Sequence, residues 1–161
     1  DLAKYHVEKN TQLQTIGITG SNGKTIVKEW LYQCLWNEMP TVKSPKSFNS
    51  QIGLPLSLLQ ISTKHQIGIF EVGISKPSEM AVLEDIFSPK IGILTHIGTA
   101  HSSNFKNEEQ LIEEKILLFK NSETILFVGS VKFSLFSIYK ILMFMAAKKV
   151  TIFVANGAKS R

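Results

Sequence analysis

The run Thr15-Ile-Gly-Ile-Thr-Gly-Ser-Asn-Gly-Lys-Thr25 holds the residue types whose spacing most directly suggests chemistry. A short apolar stretch leads into a turn of Thr19, Gly20, Ser21, Asn22 and Gly23, closed by Lys24 and Thr25. Strand, glycine turn and a helix opening at Gly-Lys-Thr is the layout of a phosphate-binding loop. There, turn amides and a helix N-terminus aim partial positive charge at a polyphosphate. Lys24 would reach the β- and γ-phosphates, and the Thr25 hydroxyl would hold Mg2+. The strict form of the motif wants glycine where Ile18 stands; the glycines here are Gly17, Gly20 and Gly23. The bland reading is an ordinary strand-to-helix turn, and the flanking apolar patterns weigh against it.

Further along, Glu71 follows Ile-Gly-Ile-Phe at the end of an apolar run, where nucleotide enzymes place a metal-binding acid. The alternative is a solvated or helix-capping carboxylate. His101, in Gly98-Thr-Ala-His, is either an exposed loop histidine or a metal or phosphate contact. Lys115 lies four residues after Leu111 and three before Leu118, toward the apolar side of its helix. Spacing favours a stem packed on the core with the ammonium snorkelling outward. The other reading is an amine needed in the site, or modified there. Asn49 is a loop asparagine whose type and spacing suggest no mechanism of their own.

The elements that must position these residues follow from periodicity. Residues 1–13 read as a helix or linker and 14–19 as a strand. A helix over 24–37 carries Ile26, Val27, Trp30, Leu31, Cys34 and Leu35 on its apolar face. A strand-and-loop segment over 41–51 passes the nucleotide, and 52–59 starts a helix with Pro55 in its first turn. Strands at 66–73, 90–95 and 124–128 alternate with helices at 79–87 and 108–120. Continuous apolar strands alternating with helices predict an α/β fold whose mostly parallel sheet is covered on both faces. Ligands in such folds bind at the C-terminal strand ends. The loop at 20–25, Glu71, His96 and His101 all fall there, which points to one shared site.

The 161 residues suit one domain with a real core, and 43% are hydrophobic. Cys34, the lone cysteine, reads as a small core residue in a reducing, cytoplasmic compartment, and no signal peptide is visible. The net charge of +5 is a property of the end of the chain. Residues 1–130 balance at −1, whereas 131–161 hold five Lys, one Arg and no acid. That distribution, with no aromatic-and-basic motif, gives little support to nucleic-acid binding. Residues 131–147 are apolar nearly all round but carry Lys140 in their middle, so no membrane span is expected. Residues 150–154 read as a last strand.

With these residues laid out, Gly17-Ile-Thr-Gly-Ser-Asn-Gly-Lys-Thr25 resembles the ATP loop of the Mur ligases, the ATP-dependent amide ligases of peptidoglycan synthesis. Asn49-Ser-Gln-Ile-Gly-Leu-Pro55, Phe70-Glu-Val-Gly-Ile-Ser75, Thr95-His-Ile-Gly-Thr-Ala-His101 and Glu114-Lys-Ile-Leu-Leu-Phe-Lys-Asn-Ser122 agree in order. The likeness is strongest to the subgroup that adds D-alanyl-D-alanine, and Gly73-Ile-Ser-Lys-Pro-Ser-Glu-Met80 is similar to members fused to an alanine racemase. It runs over about residues 3–129 and covers the central ATP-binding domain, here 14–130.

The resemblance implies a reaction between UDP-N-acetylmuramoyl-tripeptide and D-alanyl-D-alanine, driven by ATP through an acyl phosphate. It implies that Lys24 neutralises the β- and γ-phosphates, that Thr25 and Glu71 hold one Mg2+, and that His101 holds a second. Asn49 would sit near the transferred phosphate. Lys115 falls where family members carry a carbamylated lysine, an amine turned into a metal-binding carboxylate. His96 stands where the family usually has Asn against adenine. The family also has flanking domains for the UDP-sugar and the amine, so this stretch alone is expected to bind ATP·Mg2+ at most. Residues 131–161 depart from the expected continuation and read as an atypical basic and apolar tail, as a truncation or frameshift would give. A folylpolyglutamate-synthase-like ligase and a non-catalytic nucleotide-binding module are the alternatives.

Overall fold

In chain order the elements are α1 (Leu2–Lys9), β1 (Gln14–Thr19), α2 (Lys24–Leu35), β2 (Thr41–Lys43), α3 (Gly53–Leu58), β3 (Ile67–Glu71), α4 (Glu79–Ile86), β4 (Ile91–Leu94), α5 (Glu108–Ile116), a 3-10 turn at Leu117–Phe119, β5 (Thr124–Val128) and β6 (Lys149–Phe153). The structure, a computed structural model, describes residues 2–98, 104–128 and 149–153, the last by backbone alone. His101 and residues 131–147 lie outside the described residues.

The six described strands form one sheet in the order β2-β3-β1-β4-β5-β6, and every neighbouring pair is parallel. After β1 the chain crosses to β2 and β3 on one side, then to β4, β5 and β6 on the other. β1 is therefore the topological switch, and the loop after it opens where such sheets bind ligands. The expected α/β sheet and its strands are observed, β6 included.

Alternating strand residues divide the core in two. Ile16, Ile18, Ile67, Ile69 and Ile93 face α2, where Val27, Leu31 and Leu35 pack on them. Phe70, Met80, Leu83, Phe87, Leu111 and Phe119 belong to the larger cluster on the opposite face. Gly92 serves that face by omission, because a Cβ there would lie 2.3 Å from the Phe119 ring. Among the described residues no helix is long and apolar enough to cross a membrane.

The face of α2 differs from expectation. Ile26 is 55% exposed, Trp30 is 65% exposed and Cys34 is exposed, so Cys34 is not a core residue. The apolar stripe is two residues wide, and only its inner edge, Val27, Leu31 and Leu35, meets the sheet. The helix is turned by about one residue, or ~100°, so that Lys28 rather than Ile26 points inward. Lys28 is wholly buried.

Candidate functional site

The loop after β1 is shaped by two glycines in the left-handed half of backbone space, Gly20 (φ 147°) and Gly23 (φ 85°). Gly20 also has no room for a side chain, since a Cβ would lie 2.0 Å from Thr95 Oγ1. Thr95, just past β4, ties the loop down by donating from its hydroxyl to the carbonyls of Thr19 (3.2 Å) and Asn22 (2.7 Å). The Ser21 amide donates to the His96 carbonyl at 2.8 Å, the Asn22 amide makes a longer bond to the same oxygen, and the Ser21 hydroxyl donates to the Gly98 carbonyl. Asn22 and His96 form an antiparallel bridge. Thr19 is fully buried and its hydroxyl has no partner among the described residues. The turn's own amides at Ser21 and Asn22 are thus spent on β4's extension. The first-turn amides of α2, which have no intrahelical acceptor, are the donors left for an anion.

Lys24 and Lys115 converge on one oxygen. Lys24 Nζ donates to the Gly20 carbonyl at 2.8 Å, and Lys115 Nζ donates to the same carbonyl at 3.1 Å. Lys115 is 2% exposed. Its ammonium therefore does not snorkel outward as spacing favoured; it enters the site from α5. Burial, reinforced by the nearby Lys24 charge, pushes the Lys115 amine down to about 7. Burial also lowers Lys24, partly countered by the Glu71 carboxylate.

On the other side of the loop, Glu71 ends β3 beside β1, with Ile18 as its register partner. It is 2% exposed, so it is neither solvated nor a helix cap. Its Oε2 accepts from the Thr25 hydroxyl at 2.8 Å and its Oε1 from the Asn49 amide at 2.7 Å. Its backbone amide donates to the buried Ser44 hydroxyl at 3.1 Å. The Asn49 carbonyl accepts from the Gly73 amide at 2.8 Å, so the 44–51 segment is pinned against the end of β3. Thr25, Asn49 and Glu71 are thus brought together, as are Lys24 and Lys115. A cleft of about 370 Å³ is lined by Lys24 and Lys115 of one set, Asn49 of the other, and Gly20, Gly73 and Glu79 among others. Burial works against the Glu79 charge, but the Ser75 and Lys76 amides and the Ser75 hydroxyl hold it below the usual carboxylate range.

Sequence reasoning passed over Lys28, Ser44, Thr95 and Glu79. Lys28 carried a signal: it lies four residues after Lys24 and three after Thr25, on the same helical face.

Residues 18–155 match the Mur ligase middle domain family. The chain belongs to that family. The UDP-N-acetylmuramoyl-tripeptide–D-alanyl-D-alanine ligase of Borreliella burgdorferi is 43% identical to this Mur ligase middle domain over 123 residues, 76% of the chain and 26% of the relative. A crystal structure of MurF from Acinetobacter baumannii superposes with a TM-score of 0.85 at 26% identity, covering 94% of this chain and 33% of that one. The MurF ligase from Thermotoga maritima, solved in complex with ADP, gives 0.79 at 30% identity, covering 97% and 36%. The apo form of L. casei FPGS, at 12% identity and a TM-score of 0.67, shares the fold alone. The Mur ligase middle domain described here spans about a quarter of the length of the curated relative it matches, and the family match runs past residue 130 into the basic end of the chain.

Proposed function

We propose that this domain is the nucleotide-binding part of an ATP-dependent amide ligase that joins D-alanyl-D-alanine to UDP-N-acetylmuramoyl-tripeptide. The observation that carries the reading is the convergence of Lys24 and Lys115 on the Gly20 carbonyl at the cleft, with the Thr25–Glu71 pair joined to the cleft wall through Asn49. The similarity to ligases of that name supports the substrates.

In the proposed reaction a tripeptide carboxylate oxygen attacks the γ-phosphorus of ATP, and the bond to the bridging oxygen breaks to release ADP. The neutral amine of D-alanyl-D-alanine then attacks the acyl carbon. The tetrahedral intermediate expels phosphate, leaving the amide after loss of the amine's proton. Lys24 has the reach to leave the Gly20 carbonyl and follow the charge on the β- and γ-phosphates. Asn49 would face the phosphate in transfer and His96 would lie near adenine.

The residues present fit a magnesium ion. Two adjacent oxygens of an octahedral Mg2+ lie about 3.0 Å apart, given bonds of about 2.1 Å. Thr25 Oγ1 and Glu71 Oε2 are already 2.8 Å apart. The ion would screen the negative charge that builds on the phosphates. His101 is the proposed ligand of a second ion. A carbamylated Lys115 would add a carboxylate from α5, and its amine, lowered by burial, has the free electron pair that addition to CO2 requires.

Calorimetric titration of the folded chain with ADP and MgCl2 tests the reading, with Lys24→Ala as control. Binding by the wild type that is lost in the variant supports it. A folded wild type that takes up no nucleotide overturns it.

A further inference from the structure

Lys28 is wholly buried, among the largest side chains that are so in the described residues, and nothing in the proposed reaction uses it. Its ammonium donates to the carbonyl of Lys46, a residue in the left-handed region at φ 48°. The same nitrogen lies 3.8 Å from Glu71 Oε2 and 3.5 Å from Glu29 Oε1. Among the described residues it is the one ammonium within 4 Å of Glu71. Lys46 sits three residues before Asn49, whose amide donates to the other Glu71 oxygen. A buried lysine is expensive to desolvate, so burying one without a role is disfavoured. Here one cation touches both the carboxylate and the segment that braces it.

We propose that Lys28 is a positioning residue, which ties the 44–49 segment to α2 through the Lys46 carbonyl and so sets Glu71 and Asn49 for a divalent cation. The proposal rests on the functional reading above. The opposing possibility is a competitor: an ammonium beside Glu71 Oε2 repels a second cation, and removing it would tighten cation binding. The two differ in sign.

The test is Mn2+ binding followed by electron paramagnetic resonance, with and without ADP, on the whole chain. Lys28→Met removes the ammonium and keeps most of the volume. Positioning requires Mn2+ affinity in the presence of ADP to fall about tenfold, with a near-native thermal transition. Lys28→Arg, which keeps the charge and donors, should recover most of that loss. The double variant Lys28→Met/Asn49→Ala should lose little more than either single one, because both act on one brace. Lys28→Gln, which retains a donor in the slot, gives the same comparison if the methionine variant has no cooperative transition. Unchanged or tighter Mn2+ binding in a folded variant overturns the proposal and leaves the nucleotide reading intact. Failure of the wild type to bind ADP with Mn2+ overturns both.

Discussion

The Thr25 hydroxyl donates to Glu71 Oε2 across 2.8 Å, joining the first turn of α2 to the end of β3, 46 residues away. The parallel register that pairs Ile18 with Glu71 places the carboxylate beside the strand feeding the loop. Strand pairing therefore sets the oxygen pair without a ligand, which would spare the proposed cation the cost of ordering it.

Lys24→Ala should weaken ADP binding by at least about tenfold, the loss expected for one charge-assisted contact to phosphate. The fold should survive, since among the described residues the Lys24 ammonium donates to loop carbonyls alone, those of Gly20 and Ser21. Calorimetry with a parallel thermal melt checks both halves. Equal affinity in a folded variant would remove Lys24 from the phosphate site.

Glu71→Gln keeps the size of the side chain and removes its charge. Lys28, wholly buried, then loses its closest buried anion. Stranding a buried cation costs about 3 kcal/mol. Urea denaturation at pH 7 should show a loss of that order, together with loss of cation-dependent nucleotide binding. A change below about 0.5 kcal/mol would mean that the Lys46 carbonyl and Glu29 suffice for Lys28.

The elements were legible because each strand of this sheet is a short apolar run flanked by turn residues, and the helix periods between them are clear. That the Gly20 turn, Thr25 and Glu71 would meet was legible because each stands at a strand end or helix start that the local sequence marks. The orientation of α2 was not, because its apolar stripe is two residues wide and either edge could have met the sheet; packing chose Val27 over Ile26. Spacing alone favoured the wrong direction for the Lys115 amine for a related reason. Spacing reveals that a lysine lies on the inner side of a helix, but which way its flexible stem runs depends on the Gly20 carbonyl, 95 residues away. Thr95 and Ser44 had no signal at all, since their role is to bond the backbone of strands that only the fold brings near.

Gly20→Ala should be far more damaging than Gly23→Ala. At Gly20 both the backbone angle and the Thr95 hydroxyl at 2.0 Å oppose a methyl group, and relief would break Thr95's bonds to Thr19 and Asn22. The expected loss is about 3 kcal/mol. At Gly23 the nearest atom is 3.9 Å away, so only backbone strain of about 1 kcal/mol remains. Paired urea melts measure the difference. Equal losses at the two sites would show that the Thr95 contact yields freely.

Lys115 ties stability to pH in a definite direction. Its folded-state value is about 7 against an ordinary 10.5, chiefly because burial disfavours the ammonium. Below pH 7 both folded and unfolded chains carry the proton, and the folded state bears the full cost of an ammonium in a dry site. Between about 7 and 10.5 the unfolded chain holds a proton that the folded one has released, so this group makes stability rise with pH. Above 10.5 neither state is charged and the cost is gone. Lys115→Met, which leaves Lys24 on the Gly20 carbonyl, should therefore be more stable than the wild type at pH 6, by up to a few kcal/mol. The advantage should shrink steadily toward pH 10. Urea midpoints at pH 6, 8 and 10 for the two proteins decide it. Parallel pH profiles would place the ammonium in contact with water and remove the neutral amine that addition to CO2 would need near pH 7.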